Sequence, residues 1–363
     1  MSSRCDVAVV LPGDADDPTA PSGGNVYGRR VCEGLEAAGR TVRRVAVAGT
    51  WPRPDASARS GLGAALDALP AGTAVLLDGL VACGVPGVVA ERARRLRQVV
   101  LVHLPLSDET GLDPRVAAEL NALEGETLRA AHAVVATSAW AAERLRELHG
   151  PAVRDVHVVE PGVDAAPEGS GRAPSLLCVA SLTPRKGQDL LVEALYRVAD
   201  LDWTCRLVGP AGRDPAYAER VRDLIAARGL RGRIGVAGPL TGEPLAAAYA
   251  TAGLLVLPSR AETYGMVVTE ALARGIPVVA TEVGGVPGAL GSAPDGTVPG
   301  VLVPPDDADA LADALRRWLT DERLRISLRA SARARRTTLT GWDETSQRLA
   351  AVLHGVQENG GPR

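Results

Sequence analysis

Short apolar runs alternate with helix-like segments along almost the whole chain, and this alternation constrains the fold more than any other feature. The runs are nearly continuous in Val, Leu and Ala, which is typical of parallel strands buried on both faces of a sheet. Strands that alternate with helices form βαβ units, and these units build doubly wound α/β domains. The predicted strands are Val7–Leu11, Val42–Ala48, Val75–Leu77, Val99–His103, Val134–Thr137, Val156–Val159, Leu176–Ala180, Thr204–Val208, Arg233–Val236, Leu254–Leu257, Val278–Ala280 and Gly300–Val303.

The alternation is interrupted once, by a stretch rich in Pro, Gly and Ser between residues 161 and 174. Such a composition is typical of a linker between domains. A chain of 363 residues, 46% of them hydrophobic, is long enough to bury two separate cores. We therefore predict two Rossmann-like domains, over residues 1–164 and 165–342, then a helix over residues 343–357 and a disordered tail over residues 358–363.

Charge and cysteine content exclude several classes of protein. The net charge is −3 and both signs are interspersed, so the chain has no electrostatic footprint for nucleic acid. The densest basic run, Arg92–Arg97, alternates with Ala and Leu and is predicted to form the solvated face of a helix. No apolar stretch is long enough to cross a membrane, and the first predicted strand leaves no room for a signal peptide.

The cysteines indicate a reduced, cytoplasmic protein. They are odd in number and lack C-x-x-C spacing, so neither a disulfide framework nor a zinc site is expected. They are Cys5, Cys32, Cys83, Cys178 and Cys205.

Two glutamates mark the second half of the chain as its functional half. Glu262 and Glu270 lie eight positions apart in a predicted strand-loop-helix-strand unit, with Glu262 in the loop and Glu270 about one turn into the helix. The loop after the first strand of such a unit lies at the carboxyl edge of the sheet, where anions bind in open α/β folds. Glu270 is surrounded by apolar residues, so its carboxylate needs a partner, and a ribose diol would serve.

A second signal is the only lysine of the chain. Lys186 follows Arg185 in a second strand-to-helix loop, whereas every other basic residue is Arg. An ammonium is a compact point charge suited to a crowded diphosphate oxygen, and a guanidinium is a planar fork. The pair Arg185–Lys186 is therefore predicted to bind an anion.

The first half offers weaker candidates. Gly23 and Gly24 open a helix after the first strand, where paired glycines let the backbone approach a ligand closely. His103 closes a buried strand, which places its ring at the carboxyl edge of the first sheet.

Together these motifs resemble the family-4 glycosyltransferases, which are retaining enzymes of the two-domain GT-B fold. Glu262 and Glu270 match the E-x7-E signature of that family, and Pro184 to Gly187 matches its P-R-K-G segment. The resemblance covers nearly the whole chain but is specific only in the second half. It implies two Rossmann-like domains that face a central cleft, and a last helix, beginning near Trp342, that returns to the first domain.

The resemblance also implies a role for each matching residue. Glu262 would face the donor sugar, and Glu270 would bind the ribose of a nucleoside-diphosphate sugar. Arg185 and Lys186 would neutralise the leaving diphosphate. The backbone of Tyr264, Gly265, Met266 and Val267 would hold sugar hydroxyls and diphosphate, Gly23 and Gly24 would reach the diphosphate from the first domain, and His103 would lie near donor sugar and acceptor.

No cofactor or metal is expected. Asp14-Ala15-Asp16 and Asp307-Ala308-Asp309 match the D-x-D spelling of metal-dependent glycosyltransferases of another fold, but a loop and a helix start explain them better. The resemblance leaves the nucleoside diphosphate of the donor open among UDP, GDP and ADP. It leaves the acceptor open among a small molecule, a glycan and a lipid. Peripheral membrane contact through basic residues is one further possibility, with Arg29, Arg30, Arg40, Arg43, Arg44 and the Arg92–Arg97 run as its candidates.

Three other functions compete with this interpretation. A glycoside hydrolase would use two carboxylates but has no use for the cationic loop. A dinucleotide-dependent oxidoreductase would need G-x-G-x-x-G directly after the first strand, where the chain has Pro12-Gly13-Asp14. A catalytically inactive protein that binds sugar nucleotides stays open as the alternative.

Overall fold

The computed structural model of the protein describes residues 6–17, 19, 21–153, 156–171 and 174–358. Cys5, residues 172–173 of the predicted linker and residues 359–363 of the predicted tail lie outside the described residues. Glu358, the first residue of that predicted tail, is the last residue of the C-terminal helix. The chain divides into two compact units. The first contains Met1–Asp17, Gly23–Gly162 and Trp342–Arg363, and the second contains Pro18–Ser22 and Val163–Gly341.

The described residues form two parallel six-stranded sheets, as the alternation predicts. The first sheet has the order β2-β1-β3-β4-β5-β6 and the second β12-β11-β10-β7-β8-β9. The strands of the first are β1 Val7–Pro12, β2 Val42–Val47, β3 Ala74–Asp78, β4 Arg97–Val102, β5 Ala133–Ala136 and β6 Val156–Val158. Those of the second are β7 Ser175–Val179, β8 Thr204–Val208, β9 Ile234–Val236, β10 Leu254–Leu257, β11 Val278–Thr281 and β12 Gly300–Val303.

Helices cover both faces of each sheet. The first unit has α1 Gly23–Ala37, α2 Ala56–Asp67, α3 Gly79–Ala82, α4 Pro86–Ala90, α5 Pro114–Ala130 and α6 Ala139–His149. The second has α7 Gln188–Arg197, α8 Pro215–Ala227, α9 Gly242–Ala250, α10 Met266–Leu272, α11 Val286–Leu290, α12 Ala308–Thr320 and α13 Glu322–Arg335. The last helix, α14 Trp342–Glu358, belongs to the first unit.

Burial explains why these runs form strands. Every residue of β1 and β3 is buried, and alternate residues enter cores on opposite faces of the sheet: Ala8 and Val10 lie in one, Val7 and Val9 in the other. β2 lies at the edge and leaves Arg43 and Arg44 exposed, which protects an unpaired edge from other strands.

The C-terminal helix packs on the first sheet. Leu349 and Leu353 of α14 are fully buried in the core that contains Val7 and Val9. The Trp342 ring meets the Tyr27 ring edge-on, with centroids 5.8 Å apart. The first unit is therefore built from both ends of the chain.

One prediction about the first unit is wrong: the Arg92–Arg97 run does not lie on a helix. α4 ends at Ala90 and residues 91–95 form turns. Arg92 makes a two-pronged ion pair with Asp67 at 2.7 and 2.9 Å, and Arg95 donates to the carbonyl of Leu66 at 2.6 Å. Because the last carbonyls of a helix have no partner within it, these guanidinium groups bind the end of α2. That helix itself was not predicted.

Within the described residues, no helix is long and apolar enough to cross a membrane. Cys32, Cys83, Cys178 and Cys205 are buried free thiols. On α1 and β2, Arg29 and Arg30 lie within 3.9 and 3.5 Å of Glu33, and Arg44 pairs with Glu36 at 3.0 Å. These pairs reduce the positive charge of the surface, and membrane contact stays a prediction.

Candidate active site

The two loops that carry the predicted residues meet at one point of the second sheet. Strands β7 and β10 are neighbours, paired in parallel with Leu176 opposite Leu254. The chain runs from β7 outward to β9 and then returns to the other side of β7 with β10, so the strand order reverses between them. Ligands bind at such a reversal, outside the carboxyl ends of the strands. Arg185 and Lys186 follow β7, and Glu262 follows β10.

The structure brings these three charged groups together. The Lys186 ammonium donates to Glu262 Oε1, which also accepts the Ser259 hydroxyl at 3.1 Å. Arg185 Nη1 lies 3.9 Å from Glu262 Oε2 and donates to the carbonyl of Ala261 at 3.2 Å. The three side chains are only 8–18% exposed. Two cations and one carboxylate thus share a partly desolvated site.

The charge state of Glu262 follows from these contacts. Burial alone would raise its pKa, but the Lys186 ammonium and the Arg185 guanidinium outweigh burial, helped by hydrogen bonds from Lys186 and Ser259. The pKa of Glu262 is therefore lower than that of an ordinary glutamate. Its carboxylate is ionised at neutral pH and can accept hydrogen bonds but cannot supply a proton.

A neighbouring loop holds the Glu262 backbone in place. Gly285 N–H donates to the Glu262 carbonyl at 3.0 Å. Gly284 has φ +53°, and a Cβ on it would lie 1.7 Å from the same carbonyl oxygen. Only glycine permits both this left-handed conformation and this approach.

Glu270 lies on α10 with a protein partner that the sequence did not reveal. The Tyr249 hydroxyl of α9 donates to Glu270 Oε2 at 2.7 Å. The Arg274 guanidinium donates to the Glu270 carbonyl at 2.8 Å and stacks 4.7 Å above the Tyr249 ring. Burial nevertheless raises the pKa of Glu270, opposed by the Tyr249 hydroxyl and Arg274. Tyr249 therefore orients a partly buried carboxylate whose ionised form is disfavoured by burial.

The segment between the two glutamates offers mainly backbone. Gly265, with φ +91°, directly precedes α10. Tyr264 is buried in the core of the second unit, and Met266 and Val267 pack against that core. Because these side chains pack in or against the core, the backbone at the start of α10 is what this segment offers to a ligand.

The first unit brings its own candidates together. A Cβ on Gly24 would lie 3.2 Å from the His103 ring, so Gly24 packs directly on that ring. The Tyr27 ring meets it edge-on at 5.5 Å, and His103 Nε2 lies 3.5 Å from Asp78 Oδ2. Gly23 is the first residue of α1. His103 is thus held by α1 and by the end of β3.

Sequence reasoning missed several supporting residues. Ser259, Asp78 and Tyr249 are polar groups that contact a predicted site residue. Ser259 and Asp78 stand at or just beyond the end of a buried strand, a position that could have drawn attention to them. Tyr249 is the aromatic residue of the Ala-rich helix α9, which alone is no functional signal.

The second D-x-D spelling, Asp307-Ala308-Asp309, lies at the start of α12. Asp307 Oδ1 accepts the backbone N–H of Asp309 at 3.0 Å and of Ala310 at 2.8 Å, so Asp307 is the N-cap of α12. Local capping, which the sequence predicts for this pair, is therefore confirmed at Asp307.

Comparison with known proteins places this geometry in a family. The model named Glycosyltransferase Family 4 matches residues 3–166, and the model named Glycosyl transferases group 1 matches residues 165–335. The chain is 35% identical to D-inositol 3-phosphate glycosyltransferase 1 of Catenulispora acidiphila, over 65% of this chain and 60% of that protein. It is 29% identical to a GDP-mannose-dependent α-(1-6)-phosphatidylinositol monomannoside mannosyltransferase of Mycobacterium tuberculosis, over 61% of each chain. The matched region thus spans about three fifths of these relatives.

Solved structures agree on the fold. Sucrose-phosphate synthase of Thermosynechococcus elongatus superposes with a TM-score of 0.80 at 22% identity, over 97% of this chain and 99% of that one. Anabaena HepE in complex with UDP-glucose superposes with a TM-score of 0.74 at 18% identity, over 96% of this chain and 99% of that one. At these identities the likeness concerns the fold. With the two family models covering residues 3–335 between them, the chain belongs to the family-4 glycosyltransferases of the GT-B fold.

Proposed function

We propose that the protein is a retaining, metal-independent hexosyltransferase that takes its sugar from a nucleoside-diphosphate donor. The observation that carries the proposal is the cluster of Lys186, Arg185 and Glu262 at the point where the strand order of the second sheet reverses. Two cations there suit a diphosphate, and an ionised carboxylate suits sugar hydroxyls. A ligand that carries both a diphosphate and a sugar would use the two cations and the carboxylate together.

The relatives favour the same donor class. One relative is named as GDP-mannose-dependent, and one structural neighbour was solved with UDP-glucose. In this chain, Glu270 would accept the ribose hydroxyls while Tyr249 holds its second oxygen. The N–H groups from Tyr264 to Val267 would bind the diphosphate and sugar.

The cations act on the bond that breaks. As the bond between the anomeric carbon and the diphosphate oxygen lengthens, negative charge grows on the leaving phosphate. Lys186 and Arg185 stabilise that charge more than they stabilise the ground state, which is the requirement for catalysis. Glu262 cannot protonate the leaving oxygen, since its pKa is lowered. We infer that an acceptor hydroxyl attacks the anomeric carbon on the face from which the diphosphate departs. The leaving phosphate then takes the proton of that hydroxyl.

The acceptor is proposed to meet the first unit near Gly24 and His103. The named relatives act on an inositol phosphate and on a phosphatidylinositol mannoside, so a small molecule, a glycan and a lipid all stay candidates. The buried free thiols favour a reducing compartment such as the cytoplasm.

Donor identity is tested with a panel of UDP, GDP and ADP and their hexose conjugates. A ligand at about a hundred times its Kd stabilises the fold by about 2.7 kcal/mol, enough to rank the donors by thermal shift. We expect one nucleoside diphosphate to stand out and its sugar conjugate to be consumed. Stabilisation without any consumption would favour the inactive sugar-nucleotide-binding alternative, and stabilisation by none would remove the proposed function.

Chelation tests the metal independence. With the selected donor, the rate in EDTA is expected to equal the rate in Mg²⁺, because side chains and backbone N–H groups stabilise the diphosphate. The same assay after dialysis against Mn²⁺ is the control. Loss of turnover in EDTA, restored by either ion, would assign the protein to a metal-dependent mechanism.

A further inference from the structure

Arg260 connects the two loops of the candidate site from one position. Its backbone N–H donates to the Arg185 carbonyl at 2.8 Å, and its Nη1 donates to the Pro184 carbonyl at 2.6 Å. Arg260 itself lies in the loop that carries Glu262, two residues before it. One residue of the second loop therefore binds two consecutive carbonyls of the first, directly beside Lys186.

The rest of the guanidinium binds two carboxylates. Nη1 and Nη2 each donate to one oxygen of Asp189 at 2.9 Å, in a two-pronged pair with the first turn of α7. Nε donates to Asp306 at 2.6 Å. Asp189 also accepts the Tyr217 hydroxyl at 2.7 Å, and its backbone N–H donates back to that oxygen at 3.1 Å. Asp189 is thus fixed from two sides.

Asp306 stands in a left-handed backbone conformation. It is the one non-glycine residue with positive φ, +56°, in the part of the chain that the structure describes. Aspartate is one of the few residues other than glycine that adopt this conformation. Its Oδ1 accepts the hydrogen bond from Arg260 Nε.

Arg260 is unsuited to bind a phosphate itself. Its charge is offset by the carboxylates of Asp189 and Asp306, whereas Arg185 and Lys186 both face the carboxylate of Glu262. Its effect on the site is therefore geometric: it sets where the loop of Lys186 stands relative to the loop of Glu262. A planar fork suits this task because its three nitrogens bind four different oxygens in fixed directions.

We propose that Arg260 is a positioning residue of the transfer reaction, which holds the diphosphate cations Arg185 and Lys186 in register with Glu262. The inference rests on the proposed function. It adds a residue that touches neither donor nor acceptor and acts through the loops on either side.

The test compares Arg260→Gln with Arg316→Gln. Arg316 also makes a two-pronged pair, with Asp200 at 2.8 Å for both contacts, and donates to the Arg197 carbonyl at 2.9 Å. Arg316 lies on α12, away from the loops of Lys186 and Glu262. Arg316→Gln therefore removes the same kinds of bond as Arg260→Gln but leaves those two loops unchanged. A purely structural role for Arg260 predicts that both variants lose similar thermal stability and keep similar kinetics.

The kinetic result expected for Arg260→Gln is a fall in kcat of at least about tenfold with the donor KM within about threefold, since alignment matters most in the transition state. Arg316→Gln should keep kcat within about twofold. Equal kcat in the two variants would overturn the proposal.

A second readout works without turnover. Lys186 is the only lysine, so lysine labelled at its side chain gives a single NMR signal from the site. Arg260→Gln should speed the exchange of its ammonium protons with water by about tenfold or more, because the contact with Glu262 loosens. Arg316→Gln should leave that exchange unchanged. If the wild type consumes no donor, the proposed function fails. An unchanged exchange rate of the Lys186 ammonium protons in Arg260→Gln refutes the positioning role separately.

Discussion

Replacing Lys186 with alanine is expected to lower kcat by about 10²- to 10³-fold while changing donor affinity only a few-fold, because the cation is worth most when charge grows on the leaving diphosphate. Steady-state kinetics with the donor selected by thermal shift measure both quantities. Lys186→Arg should recover part of kcat, since it restores the charge on a longer and planar group. Full activity in the alanine variant would show that the single lysine has no role.

Loss of stability must be separated from loss of catalysis in this variant. Lys186→Ala leaves the Glu262 carboxylate, which is only 8% exposed, with Arg185 at 3.9 Å and Ser259. Removing one partner of such a pair destabilises a fold by about 3–5 kcal/mol when the pair is fully buried. The double variant Lys186→Ala/Glu262→Gln removes the unpaired charge, so its Tm should rise above that of the single variant. Recovery of kcat together with Tm in the double variant would attribute the loss in the single variant to folding.

Glu270→Gln is expected to weaken nucleoside diphosphate binding by about ten- to a hundredfold, as it removes a charged acceptor worth about 1.5–3 kcal/mol. Isothermal calorimetry with the selected nucleotide measures the change. Glu193→Gln is the matched control: Glu193 is also partly buried and pairs with Arg228 at 2.8 Å and with Arg197 at 3.6 Å, neither of which is a candidate site residue, so affinity should not change. Equal affinities of Glu270→Gln and wild type would remove the ribose assignment.

The same variant should not lose stability. Burial raises the pKa of Glu270, so its contribution to stability is full below the pKa of the unfolded chain, about 4.3, and is lost as the pH rises through the folded value. At neutral pH the ionised form therefore costs free energy that a neutral amide does not. A glutamine can still accept the Tyr249 hydroxyl. We expect an equal or higher Tm at pH 7, together with weaker binding, and a fall of both would indicate a structural role.

The sequence predicted the parts of this molecule that depend on local pattern. Buried parallel strands are nearly continuous in apolar residues, so β1, β3, β7 and β10 were placed within about two residues. The loops after β7 and β10 were recognised because Lys186 and Glu262 stand out against apolar and Arg-rich surroundings. Their meeting at one point follows from the reversal of strand order, which the sheet topology shows.

What the sequence could not supply are contacts between distant residues. Arg260 and Asp189 are 71 positions apart, and neither differs in local pattern from a solvated charge. Tyr249 donates to Glu270 from 21 positions earlier in the chain, on a different helix. The prediction for Arg92–Arg97 was wrong for a related reason: alternation with Ala and Leu suggested a helix, whereas Arg92 and Arg95 bind the end of the unpredicted helix α2.

Proton NMR of the wild-type protein with the selected nucleoside-diphosphate sugar tests the central claim most directly. Water replaces the unidentified acceptor, so the assay needs only the donor, and EDTA is present throughout. We predict that the donor is consumed, that nucleoside diphosphate is released, and that the first sugar observed, before mutarotation, keeps the anomeric configuration of the donor. A donor that binds but is never consumed, or a first product of inverted configuration, would contradict the account.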